Sequence, residues 1–359
     1  MKQDTANVHV VIDNQPIVAK AGASILTVAR QNDIYIPTLC YHEQLSPHGG
    51  CRMCIVEVEG LRTLPTACTT PVEDGMIIRT HTAQIQQTRV EILQLFLSEH
   101  TASCLVCDEK EECREFMSTV RKAAVTTGCR YCPKDTQCEL QAVTESLGIT
   151  DIIYPIAYRG MRVETEDPFY DRDYNLCILC GRCIRVCQEV QSVGAIDFIN
   201  RGDDSIVTTF MNRGLGNSEC VNCGQCIHVC PVGAIRERSS IEEVQRAIDN
   251  PDKHVVVQEA PAVRAALGED LGLPKGTLVA GKMYAALRRL GFDAVFDTNF
   301  SADLTIVEEA NELVKRITEK GALPQITSCC PGWIKFLEHN YPDLIGNVST
   351  CKSPQQMFG

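Results

Sequence analysis

Cysteine dominates the chemistry open to this chain, at 21 of 359 residues. Most stand in pairs two residues apart, the spacing at which thiolates ligate soft metals and iron–sulfur clusters. A disulfide-rich secreted protein would need an export signal. The N-terminus, MKQDTANVHVVIDNQPIVAK, has no basic start followed by an apolar run. The pattern therefore implies a reduced, cytoplasmic metalloprotein. A net charge of -12 argues against a nucleic-acid partner, which calls for basic faces. No stretch approaches the ~20 apolar residues that span a bilayer, so direct membrane insertion is not expected.

The clearest arrays are Cys177-x2-Cys180-x2-Cys183-x3-Cys187 and Cys220-x2-Cys223-x2-Cys226-x3-Cys230-Pro231. This is the two-cluster bacterial ferredoxin spacing, in which the fourth cysteine of each run ligates the other cluster. One 4Fe–4S cluster then takes Cys177, Cys180, Cys183 and Cys230. The other takes Cys220, Cys223, Cys226 and Cys187. GAIDFINRGDDSIVTTF, between the runs, supplies a strand and a turn.

Cys40, Cys51, Cys54 and Cys68 are spaced C-x10-C-x2-C-x13-C, a looser variant of the plant-type 2Fe–2S pattern. Gly49 and Gly50 precede Cys51 and let backbone N–H groups approach the sulfurs. A structural zinc ion is the bland alternative. His100, Cys104, Cys107 and Cys113 form a one-His, three-Cys set that suits a 4Fe–4S cluster or zinc, and spacing does not choose between them. Cys129, Cys132 and Cys138 repeat the C-x2-C-x5-C spacing, but Val125 stands where a histidine would be. A further metal site completed by a distant residue, or one cluster and one zinc shared among six cysteines, both remain open.

The elements that must position these residues suggest an α+β modular chain in four blocks. Residues 1–80 read as a β-grasp 2Fe–2S domain: two alternating strands joined at Asp13-Asn14, a short amphipathic helix, and a strand at CIVEVEG. Residues 81–150 are a His/Cys-rich module entered by the helix AQIQQTRVEILQLFLSEH. Residues 151–244 are the double 4Fe–4S ferredoxin domain. From 245 to 359 helices alternate with HVVVQEA and AVFDT, which read as parallel strands buried on both faces at the start of an α/β domain.

An adjacent pair, Cys329-Cys330, breaks the spaced pattern. On spacing alone it is a metal ligand with a neighbour, a strained vicinal disulfide or a buried structural pair. In TSCCPGW, followed by STCKSPQQMFG, it resembles the first signatures of the iron-only (FeFe) hydrogenases. That resemblance covers the whole chain and implies a catalytic subunit that reversibly oxidises dihydrogen. It implies that Cys330 ligates the cubane of the H-cluster and that Cys329 passes protons. Glu309, Glu312 and Ser349 match the family's proton path, though a solvated helix face is the plain reading of the glutamates. Cys351 and Lys352 are expected to play structural parts near the cluster pocket. The family's later cysteine motifs are absent, so these residues are expected to be part of a longer hydrogenase chain, or else an electron-transfer chain.

The resemblance also implies partners: flavin- and NAD(P)-binding subunits, small iron–sulfur subunits and ferredoxin. No G-x-G-x-x-G signature offers nucleotide binding in this chain. CELQ, from Cys138, resembles the close of the one-His, three-Cys module in complex I large subunits and formate dehydrogenases, which makes Cys138 a rival to Cys113. A non-catalytic electron-transfer subunit related to those proteins is the alternative reading.

Overall fold

The computed structural model describes residues 6–100, 134, 137–155, 157 and 159–359. Contacts divide the chain into two compact units: Met1–Cys220 with Gly224–Arg238, and Val221–Cys223 with Ser239–Gly359.

The first unit opens with β1 (Asn7–Ile12) and β2 (Gln15–Lys20), paired antiparallel. Asp13 and Asn14 join them with φ of 48° and 67°, the left-handed pair of a type I′ hairpin turn, which these short polar residues tolerate. Ser24 caps the helix Ile25–Gln31 by accepting from the Thr27 N–H at 3.1 Å. β3 (Glu57–Val58) and β4 (Ile77–Arg79) complete a sheet of order β2-β1-β4-β3, with β1 and β4 parallel. The helix packs its Ile25, Leu26 and Val28 on Val10, Ile12 and Ile78 in one apolar core. Truncating Ile12, Ile25, Leu26 or Ile78 to alanine costs about 2–5 kcal/mol. The expected strand at CIVEVEG shrinks to Glu57–Val58, because Ile55 bridges Thr66 instead.

Thr82 caps the helix Ala83–Glu99, which ends at His100 as the sequence suggests. Its Leu93 and Leu97 join Leu140 and Val143 of the helix Glu139–Ser146, and Ile178 and Val232, in a second apolar cluster.

The two ferredoxin runs adopt matching backbones. Leu179 and Gly181 in the first have φ of 52° and 68°, and Asn222 and Gly224 in the second 55° and 76°. A bulky residue such as leucine is held left-handed only where its surroundings over-determine it. Short helices follow each, Arg182–Arg185 and Gln225–His228. β5 (Tyr170–Arg172) pairs antiparallel with β8 (Ile235–Glu237), and β6 (Ile196–Ile199) with β7 (Ile206–Thr209).

In the second unit β9 (Val256–Glu259) and β10 (Ala294–Asp297) are parallel, with helices Pro261–Asp270 and Ala280–Leu290 between them. Asp297 caps the long helix Thr298–Thr318. The parallel pairing matches the sequence reading, but burial on both faces does not: Val256 is 49% and Phe296 41% exposed. Among the described residues this sheet has two strands, so each keeps an open edge and a partly bare face. No helix of the described residues is long and apolar enough to cross a membrane.

Candidate functional site

Cys40, Cys51, Cys54 and Cys68 are all buried. The loop carrying Cys68 is tied in by Ala67 N–H donating to Cys54 O at 2.8 Å. The thiols meet in two pairs. Hydrogen bonding from Cys51 lowers Cys40 to about 5, overcoming burial, which pushes it up. Cys51 is raised in return. The Cys54–Cys68 pair behaves alike, with Cys54 raised and Cys68 lowered by their mutual bond. Backbone N–H groups of Cys51 and Gly50 reach Cys40, and that of Gly49 reaches Cys68. Gly49 has a φ of 69°, which favours glycine, and a Cβ on Gly50 would fall 2.7 Å from the exposed His48 ring, which would have to move aside. Two thiol pairs, ringed by N–H donors, fit two irons.

Cys177, Cys180, Cys183 and Cys230 line one cavity with Arg172 and Val207. They are the quartet that the crossed ferredoxin spacing selects. Burial raises the thiols of Cys177, Cys180 and Cys183, the last to about 12. Among the described residues no three His, Cys, Asp or Glu side chains converge as a single metal ion requires. Four thiols around an enclosed space are instead the donor set of a cluster. Cys187, Cys220 and Cys226 pack on the apolar cluster of Ile184, Ile196 and Ile227, as do Cys177, Cys183 and Cys230. Ala195 N–H approaches Cys187 Sγ at 3.4 Å. Cys223 is exposed.

His100 is 7% exposed, and neither ring nitrogen makes a well-formed hydrogen bond among the described residues, although the Leu176 backbone lies within reach of the ring. Burial lowers its pKa to about 4, which leaves the neutral imidazole that ligates metals. Cys104, Cys107, Cys113, Cys129 and Cys132 lie outside the described residues. Cys138 stands at the N-terminus of the helix Glu139–Ser146 and packs on the cluster containing Leu93 and Leu97.

In the second unit a cleft of about 1140 Å³ is lined by Glu259, Ser328, Cys329, Ser349 and Cys351, among others. Cys330 is exposed and begins the helix Pro331–Asn340, with proline in its first turn. Glu312 is a hydrogen-bonding hub. Its Oε2 accepts from Ser349 Oγ at 2.7 Å and Thr350 N–H at 3.1 Å, and Cys351 Sγ lies 3.6 Å away. Its Oε1 accepts from Arg316 Nη2 at 2.6 Å. Glu309 accepts from Thr327 Oγ1 at 2.8 Å, two residues before Cys329. Ser349 and Glu312 are thus brought together, while Glu309 meets the strand-like segment leading to Cys329. Lys352 is exposed.

Residues 253–359 match the family of the iron-only hydrogenase large subunit, C-terminal domain. Residues 5–83 match a 2Fe-2S iron-sulfur cluster binding domain, and residues 167–236 the ferredoxin-like domain of NADH-quinone oxidoreductase subunit 3. The NADP-reducing hydrogenase subunit HndD of Solidesulfovibrio fructosivorans is 44% identical over 98% of this chain. The chain is homologous to the iron-only hydrogenases. Iron hydrogenase 1 of Clostridium pasteurianum is 38% identical over 98% of this chain. The chain spans 57% of the length of each of these two relatives. A crystal structure of an NAD+-reducing [NiFe]-hydrogenase in its H2-reduced state shares the fold over 66% of this chain and 89% of its own, with a TM-score of 0.54 and 24% identity.

In this hydrogenase-like unit, sequence reasoning missed Arg316. Four residues beyond Glu312 on one helix, it reads as half of a surface pair of little worth. The fold instead buries its guanidinium, 13% exposed, against the carbonyls of Ala322, Asn347 and Val348. Burial alone would raise the Glu312 pKa, but hydrogen bonds from Ser349, Arg316 and Thr350 outweigh it and hold the carboxyl below its ordinary 4.5. A depressed carboxylate stabilises the fold above its unfolded value and loses that contribution as pH falls through the folded value. Trp333, the single tryptophan, reports on this unit. Its fluorescence melting temperature is expected to fall below about pH 4.5, and the Glu312→Gln variant should melt lower at pH 7 with a flatter acid slope.

Proposed function

We propose that this chain is the electron-carrying, catalytic part of an iron-only hydrogenase that interconverts dihydrogen with two protons and two electrons. The observation that carries the reading is the enclosed four-thiol cavity of Cys177, Cys180, Cys183 and Cys230, in a chain whose residues 253–359 match the hydrogenase domain. Cys40, Cys51, Cys54 and Cys68 would hold a 2Fe–2S cluster, with one iron for each thiol pair. The ferredoxin cysteines would hold two 4Fe–4S clusters, and His100 is the ligand this chain offers a third. Such clusters take up single electrons with little rearrangement, at potentials set by charge, hydrogen bonds and burial.

When bound, the H-cluster supplies the metal site where dihydrogen is made or split. Cys330 would be one of its cysteine ligands, and four thiolates hold a cubane. The chain's own residues move the protons. Cys329, exposed in the cleft, would exchange a proton with the reacting centre, since thiols tune toward neutral pKa values. Glu309 and Glu312, with Ser349 as the hydroxyl between carboxylate and cleft, would carry protons between Cys329 and solvent. Arg316 orients Glu312 and keeps it charged, ready to accept.

The relative's name, NADP-reducing hydrogenase subunit, supports coupling to a nicotinamide nucleotide through partner subunits; we infer that these include flavin- and nucleotide-binding subunits, small iron–sulfur subunits and ferredoxin. A reduced, cytoplasmic setting suits so many free thiols.

The test is anaerobic purification of the natural polypeptide, its intact mass, iron–sulfur EPR, and hydrogen evolution from reduced methyl viologen. Evolution together with cluster signals is expected. Cluster signals without evolution would overturn the hydrogenase reading. They would leave an electron-transfer subunit, the second reading, which the match of residues 167–236 to a quinone oxidoreductase domain favours.

A further inference from the structure

We propose that Arg172 is the counter-charge of the cluster held by Cys177, Cys180, Cys183 and Cys230 and sets how readily it is reduced. The inference rests on the reading above that these cysteines hold clusters.

Arg172 ends strand β5, where its backbone is fixed twice over. It pairs with Ile235 across β8 and exchanges backbone hydrogen bonds with Glu164 at 2.8 and 2.9 Å. Its side chain lines the cavity of Cys177, Cys180, Cys183 and Cys230, and the residue is 6% exposed. The guanidinium lies 5.4 Å from the centre of the Tyr174 ring. Against its burial, the neighbouring thiols Cys183 and Cys177 of that quartet favour its charged form.

No carboxylate among the described residues stands within ion-pair distance of it. The contrast with Arg182 is direct, since that buried guanidinium has Glu139 at 2.7 Å. Burying an unpaired cation is costly, and a cation–π contact recovers only part of that cost. A strong negative charge in the cavity closes that gap, and a cluster on four thiolates is an anion. The same pairing has a redox consequence. One-electron reduction adds a further negative charge beside a fixed positive one in a low-dielectric site, so the reduced state gains more than the oxidised.

The experiment uses the full chain, loaded with iron and sulfide, as wild type and as Arg172→Met, Arg172→Gln and Arg172→Lys. Iron content and EPR-monitored redox titration are the readouts. In a neutral variant that keeps its iron, the equilibrium constant for reducing the cluster of this quartet should fall at least tenfold, about 59 mV for one electron. Arg172→Lys should stay within threefold of wild type. Loss of clusters from both neutral variants but not from Arg172→Lys would also count for the charge. Unchanged potentials in an iron-replete neutral variant would overturn the proposal, as would loss of clusters from all three variants. A wild-type chain that takes up no cubane clusters would instead sink the cluster reading beneath it.

Discussion

Replacing Cys230 with alanine is expected to empty the cluster site of the first cysteine run, not that of the run to which Cys230 belongs. By sequence Cys230 closes the second run, yet its thiol lines the cavity with Cys177, Cys180 and Cys183. In the crossed ferredoxin reading each run's last cysteine ligates the other cluster, and here each run turns through left-handed residues into a short helix. The measurement is iron content with EPR of the reduced full chain. Spin coupling between the two ferredoxin clusters should vanish, leaving the signal of one cluster. Cys187→Ala should remove the opposite one. The two variants losing the same cluster would refute the crossed assignment. Electron flow through this module should fall by orders of magnitude in either variant, since the remaining cluster has lost its neighbour.

Replacing Cys329 with alanine is expected to lower hydrogen evolution at least 10²-fold, the span a positioned proton donor contributes, while every iron–sulfur signal stays in place. The side chain lines the cleft and is exposed, so truncating it removes little packing. Serine at the same position should be nearly as slow, because a hydroxyl keeps the shape but gives up its proton far less readily than a thiol. Hydrogen evolution from reduced methyl viologen across pH 5–9 checks this, with EPR as the control for cluster loading. Activity within a few-fold of wild type would show that protons reach the site without Cys329.

Much of the first unit can be read from the sequence because its signals are local. Asp13-Asn14 can only be a tight hairpin turn between alternating strands, and two quartets at fixed spacing leave few other ways to place their thiols. The long helix ending at His100 is similarly plain. What could not be read depends on contacts far apart in the chain. Glu312 and Arg316 look like solvated helix surface until the segment around Val348 arrives to bury them. Arg172 carries no motif, and only the cavity around it gives it meaning. HVVVQEA and AVFDT were expected to be buried on both faces from their apolar runs, but composition cannot say how many strands flank a pair. The cysteines between residues 101 and 133 lie outside the described residues, so the second triad keeps both of its readings.

The hydrogen bonds from Arg185 to the backbone carbonyls of Cys40 and Ser46 join residues 145 and 139 positions apart. Translation proceeds at about 5–20 residues per second, N-terminal parts folding first. The loop around Cys40 is therefore made roughly 7–30 s before the arginine that pins it leaves the ribosome. Until then the loop lacks the two hydrogen bonds that hold its carbonyls, so its final conformation waits on a helix made far downstream.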